Sequence, residues 1–338
     1  MKKILLVISM LMFVRWAQAQ DPSFSQFFSS PLNVNPALTA RINSDWRVIS
    51  NFRDQWLGPA SPYATGTISY DRKILQNKIP NVHEEKNLVG VGGMLMYDYA
   101  MDGIMKSTYA SANLSYSVVL ADGPAVHRLG AGFGGSYGKR TVDFSRLTWE
   151  EQWIGYGGFD KNLPSGELAL FNMKPYFSLS TGLVYSITTQ NSNIDLGAAA
   201  FHVNTPKQTF LRDPNQRLAM RKVAHVNFET FLNSSVVLNT NAIYQFQENA
   251  EYYSFGAGLG YYVPQDPNVI LNAGVWYWSK NAIIPYIGFA YNDFQLGLSY
   301  DVTISKLSQA SIKPKTFELS LIYRGTKEPT QIIPCPWK

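Results

Sequence analysis

Beyond residue 44, apolar and polar positions alternate along most of this chain. Across 294–304 one face reads Phe294, Leu296, Leu298, Tyr300 and Val302, and the other Gln295, Gly297, Ser299, Asp301 and Thr303. A period of two is that of a β-strand. It recurs at 110–118, 129–133, 253–261 and 317–323. The polar face is the informative one. A soluble sandwich would place Lys, Glu and Thr there. Here it carries Gly, Ser, Asn and Thr with few charges, which suits an inward surface whose apolar reverse meets lipid. The pattern predicts an all-β fold, a transmembrane antiparallel β-barrel of about 14 strands. They fall near 45–54, 62–72, 87–98, 106–120, 127–139, 174–187, 193–203, 221–231, 234–247, 251–263, 268–279, 282–291, 294–305 and 316–325. An even count puts both termini on the periplasmic side. The connections 140–173, 204–220 and 306–315 then become long extracellular loops, while 73–86 is a long inward exception.

Composition strengthens the membrane reading. Charged residues make up 16% of the chain, against about 25% in soluble domains. Aromatics make up 14%, including 20 tyrosines. Tyr and Trp near strand ends are expected to form interfacial belts, with Trp46, Tyr97, Tyr99, Tyr261, Tyr262, Trp276, Trp278 and Tyr291 as members. After residue 14 no apolar run reaches the roughly 20 residues of a spanning helix.

The first residues predict export. Lys2 and Lys3 precede an apolar run over 4–14, and Ala17-Gln18-Ala19 offers small residues to a signal peptidase. Residues 1–19 read as a signal peptide cleaved after Ala19, with no lipobox cysteine behind it. The remaining chain divides into a periplasmic or plug segment at 20–44, the barrel at 45–325 and a tail at 326–338. Residues 1–19 hold three of the 29 basic residues and no acid, so the mature net charge is +2. Nothing in that balance asks for a nucleic-acid partner. Cys335 is the single cysteine, so no internal disulfide is available.

A search for chemistry returns little. His83, His127, His202 and His225 stand in no metal-binding spacing, and no Walker loop or G-x-S-x-G elbow occurs. Gly90-Val-Gly-Gly93 and Gly130-Ala-Gly-Phe-Gly-Gly135 lack the helix that phosphate binding needs. Such glycines relieve crowding on an inward face. Glu150 and Glu151 form an acidic pair that reads as a solvated loop feature. His202 and His225 flank the connection 204–220 and are expected at the rim. No catalytic, cofactor or metal residue is assigned, and the expectation is a protein that is not an enzyme.

Several motifs resemble the PorP/SprF family. Gln20-Asp-Pro-Ser-Phe-Ser-Gln-Phe27 and Pro31-Leu-Asn-Val-Asn-Pro-Ala37 look like its mature N-terminus. Phe52-Arg-Asp-Gln-Trp56, Pro62-Tyr63 and Ser69-Tyr-Asp71 are similar to its first hairpin. Gly297-Leu-Ser-Tyr-Asp-Val-Thr303, Phe317-Glu-Leu-Ser-Leu321 and Cys335-Pro336 fit its C-terminal part. Two positions depart. Leu38-Thr39-Ala40 stands where the family often has a glycine, and Phe317 where it often has a histidine. The resemblance implies an outer-membrane barrel of the type IX secretion system of Bacteroidota, linked in some species to gliding motility. The partners it implies are a secreted surface protein or adhesin and other secretion components, peptidoglycan-linked ones among them. A passive porin for small solutes is the alternative.

Overall fold

The computed structural model describes residues 21–57, 61, 63–74, 87–167, 173–209, 215–266 and 268–325. The expected signal peptide, His83, most of 73–86, the tail and Cys335 lie outside them. Among the described residues, fourteen antiparallel strands form one sheet. They are β1 (Trp46–Leu57), β2 (Tyr63–Ile74), β3 (Asn87–Ala100), β4 (Met105–Ala121), β5 (Val126–Val142), β6 (Tyr176–Thr188), β7 (Ser192–Phe201), β8 (Arg221–Asn233), β9 (Val236–Gln247), β10 (Ala250–Tyr262), β11 (Val269–Trp278), β12 (Ala282–Tyr291), β13 (Phe294–Tyr300, resuming at Val302–Thr303) and β14 (Lys315–Gly325). Each strand pairs with the next, and β14 pairs back onto β1 from Trp46↔Gly325 to Asp54↔Phe317. The sheet is therefore a closed barrel. Closure leaves no unpaired edge, which a lipid environment would not tolerate.

The alternation sorts the two faces as expected. Phe133 is 64% exposed, Leu183 56% and Ile287 62%, whereas Gln295, Ser299, Ser254 and Glu318 are buried. In water, each large exposed side chain would forgo roughly 1.5–3 kcal/mol of burial. Large apolar groups outside and polar groups inside make sense only with lipid around the barrel.

The belt needs a correction. Tyr97, Tyr261 and Tyr291 face outward, and Trp46 packs against the outward rings of Tyr70 and Tyr323. Trp276, Trp278 and Tyr262 instead turn inward. The period of two dictates this, because Tyr261 and Tyr277 occupy the outer face beside them. Trp276 is 1% exposed and donates from Nε1 to Asn241 Oδ1 at 2.7 Å.

The Trp46↔Gly325 pairing puts the start of β1 and the end of β14 at one end of the barrel. That end also carries the short connections 189–191, 234–235 and 292–293. β5 and β7 end, and β6 and β8 begin, at the other end, so the connections between them leave from and return to it.

Candidate functional site in the packed lumen

Residues 21–44 occupy the inside of the barrel. They form no long element: a turn at Phe27–Ser29, one helical turn at Pro31–Val34 and another turn at Pro36–Leu38. Pro31 and Pro36 open the latter two, where a missing N–H costs nothing. Asn35 caps the last by accepting from the Ala37 N–H at 2.8 Å. The segment has its own apolar side chains to bury. Phe27, Val34, Ala37 and Leu38 join Val184, Val223, Ile243, Trp276, Ile284 and Tyr286 of the wall in one cluster. Phe28 lies 4.7 Å from the Trp276 ring.

Polar contacts fasten it at four levels. At the long-connection end, Asp21 Oδ2 accepts from His202 Nε2 at 2.7 Å and pairs with Arg221 at 3.1 Å. Ser178 Oγ lies 2.7 Å from His202 Nδ1, completing a chain of three side chains. These are the residue types of a hydrolytic triad. Here Ser178 is 2% exposed and Asp21 is shared with Arg221, so the trio serves as an anchor. Asp21 therefore lies at the long-connection rim. The described chain starts at the rim opposite Gly325, because the segment runs the length of the lumen before β1.

The next level lies at the β1–β14 seam. Arg53 pairs with Asp301 at 2.7 Å and with Glu318 at 2.9 Å, and contacts Ser25 Oγ. The Ser25 and Gln26 N–H groups donate to the two oxygens of Glu318 at 2.8 and 3.0 Å. Gln26 Nε2 donates to Ser299 Oγ at 3.0 Å, and Ser320 Oγ donates to Gln26 Oε1 at 2.7 Å. Trp278 lies 5.0 Å from the Arg53 guanidinium.

Midway, Asn35 Nδ2 donates to the Leu183 carbonyl at 3.0 Å and faces His225 Nε2 at 3.1 Å. The wall is glycine here for steric reasons. A Cβ on Gly132 would collide with the backbone of Pro36 and Ala37, and one on Gly182 with Asn35 Oδ1. His225 is therefore not a rim residue as expected; it faces inward from β8, with 3% exposure. At the short-connection end, Asp71 accepts from the Ala40 N–H at 2.7 Å and from Arg47 at 2.7 and 3.0 Å. Arg41 pairs with Asp195 at 2.5 Å. Glu150 and Glu151 stay exposed on a turn of the long connection.

Ala40 has φ +55°, the left-handed region that disfavours a Cβ by about 1–2 kcal/mol. Ala40→Gly is therefore expected to raise stability by about 0.5–1 kcal/mol, once the greater freedom of glycine in the unfolded chain is subtracted. Urea unfolding in lipid vesicles measures it, and a loss of stability would refute the reading.

Asp21 gives a pH prediction. Burial pushes its carboxyl up, but His202 and Arg221 outweigh that and hold it well below the usual carboxylate range. A carboxylate with a folded-state value below its unfolded one contributes fully above the unfolded value, about 4. The contribution fades as pH falls through the folded value. Hydrogen-exchange protection across 21–34, taken relative to intrinsic exchange at each pH, should therefore stay constant from neutral pH to about pH 4 and fall below it. Asp21→Asn should exchange fast throughout.

The closed barrel, apolar outside and packed inside, defines an outer-membrane-type β-barrel protein. A family model described as type IX secretion system membrane protein PorP/SprF matches residues 17–323, and the chain belongs to that family. Among solved structures it is similar to the CymD monoaromatic hydrocarbon channel, at 10% identity and TM-score 0.48 over 88% of this chain and 92% of that one. The P. putida toluene transporter TodX gives 9% identity and TM-score 0.45 over 87% and 93%. CdiB from Acinetobacter baumannii gives 10% identity and TM-score 0.44 over 83% and 60%. No curated protein matches the chain.

The inward residues of the motifs that carry the resemblance converge on this lumen. Ser25, Gln26 and Asn35 come from the N-terminal motifs, and Arg53 and Asp71 from the first hairpin. Ser299, Asp301, Glu318 and Ser320 come from the C-terminal part. Reading the sequence missed these contacts and the Ser178–His202–Asp21 chain. A signal was present: Arg47, Arg53, Asp71 and Glu318 are charges at inward positions of their strands.

Proposed function

We propose that this chain is a non-enzymatic outer-membrane component of type IX secretion that assists the export or surface anchoring of a large secreted protein. In this reading it is exported by a signal cleaved after Ala19 and works beside other secretion components; in gliding species it would serve a motility adhesin. The filled lumen carries the proposal. With residues 21–44 packed against the wall, the parts left for a partner are the rims and loops. The 143–167 stretch supports this, since Trp153, Ile154, Tyr156 and Phe159 stand exposed on it, as at protein interaction sites. Deleting the gene and fractionating the cells tests the idea. At least one type IX substrate should vanish from the cell surface, and if every substrate still arrives the proposal fails. A large steady conductance of the intact protein in planar bilayers would favour the porin instead.

A further inference from the structure

Six outward side chains meet at the long-connection ends of β3, β4 and β5. In the register, Tyr97 lies opposite Thr108 and Tyr99 opposite Lys106. On the other side of β4, Thr108 lies opposite Lys139 and Lys106 opposite Thr141. Directly opposed residues have Cβ atoms about 4.5–5.5 Å apart, so the six form one patch. The strand phase turns it outward. The alternate neighbours Asp98, Ser107 and Arg140 face the lumen, where Arg140 Nε donates to Ser107 Oγ at 3.0 Å. Tyr97, Lys106, Thr108 and Lys139 are exposed. One step further from the rim on the same outer face stand Leu95, Ala110 and Tyr137.

The patch holds two ammonium groups, four hydroxyls and no carboxylate. Among the described residues neither lysine has a carboxylate oxygen within 4.0 Å. Two acids flank it in the chain, and each has a serine on it. Asp102 Oδ2 accepts from Ser61 Oγ at 2.9 Å, and Asp143 Oδ1 from Ser145 Oγ at 2.6 Å. Arg146 donates to the Asp102 carbonyl at 2.9 Å and adds a third cation at this edge. Long connections face the exterior in outer-membrane barrels, and outward tyrosines mark the depth where headgroups meet hydrocarbon. A lysine at that depth lays its stem on the wall and its charge among the headgroups. Lipid covers this wall in any membrane, so the patch selects only which headgroup lies there. A zwitterionic or neutral one leaves both ammonium groups uncompensated. A phosphate takes charge-assisted hydrogen bonds from them and further ones from the hydroxyls, while its acyl chains lie along Leu95, Ala110 and Tyr137. We propose that this patch binds the phosphate of an anionic lipid in the exterior leaflet.

Native mass spectrometry of the full-length protein in detergent tests it, with diphosphorylated lipid A and the same lipid stripped of phosphate as probes. The parent should retain the phosphorylated lipid saturably and prefer it over the stripped one. The double variant Lys106→Gln with Lys139→Gln, checked for an intact heat-modifiable barrel, should bind it about thirtyfold more weakly, the effect of two lysines at an anionic lipid surface. Lys106→Arg with Lys139→Arg should keep the binding. Lys222→Gln with Lys315→Gln, which removes outward lysines from β8 and β14, should leave it unchanged. Equal retention of both lipids by the parent, or undiminished binding in the first double variant, would overturn the proposal. So would an equal loss in the β8 and β14 variant, which would assign the effect to overall charge. Complete displacement of the lipid by inorganic phosphate would overturn it as well, since the acyl chains would then contribute nothing.

Discussion

Replacing Arg53 with methionine is expected to destabilise the barrel by about 3–5 kcal/mol. The guanidinium is 1% exposed and lies between Asp301 and Glu318, so its loss strands two carboxylates in the packed lumen. Those carboxylates also hold the segment, through the Ser25 and Gln26 N–H groups and the Ser25 hydroxyl. A companion variant separates charge from hydrogen bonding. Arg53→Met combined with Asp301→Asn and Glu318→Gln keeps the acceptors and removes every charge, and should recover most of the loss. Urea unfolding in vesicles, followed by tryptophan fluorescence, reads both. A single variant as stable as the parent would mean that the cluster bears no weight. Because Arg53 belongs to β1, Asp301 lies between the two parts of β13 and Glu318 belongs to β14, the damage should concentrate at the seam between first and last strands.

Deleting residues 21–44 is expected to turn a closed barrel into a conducting one. The segment brings Phe24, Phe27, Leu32, Val34, Leu38 and Ile42 into the interior, all buried. Each represents roughly 1.5–3 kcal/mol of apolar burial, so the deletion should also lower stability markedly. Planar bilayers give the readout: steady current from the truncated barrel and none from the parent. Equal behaviour of the two would remove the segment from any role in sealing the lumen.

Much of this fold was legible because each strand of the barrel carries its own period-two signal. The strands are expected and found, with β1 predicted at 45–54 and observed as Trp46–Leu57. The belt residues were less legible. An aromatic near a strand end looks the same whether it faces lipid or the lumen, and only the phase set by neighbours such as Tyr277 separates Trp276 from a true belt member. The segment was harder still. Residues 21–44 alternate with neither period and bury themselves by matching a surface drawn from more than half the strands. Ser25 and Glu318 are 293 positions apart, and no local pattern joins them. His225 was misplaced for a related reason. Its neighbourhood in the chain suggested a rim, while its contact with Asn35 lies 190 positions away.

The route of the segment has a consequence for how the molecule is made. Asp21 sits at one rim, and the chain descends the full lumen before Trp46 starts the wall at the other. Contacts of such sequence separation form late, because they close the longest loops. Here the late contacts belong to the two chain ends at once, since Ser25 and Gln26 meet β14 where β14 meets β1. A ring closed first would have to be threaded afterwards by a segment bearing Phe24, Phe27 and Phe28. Laying the segment along β1 before β14 arrives avoids that passage, and makes the ends of the chain, rather than its middle, the part of the protein that completes the barrel.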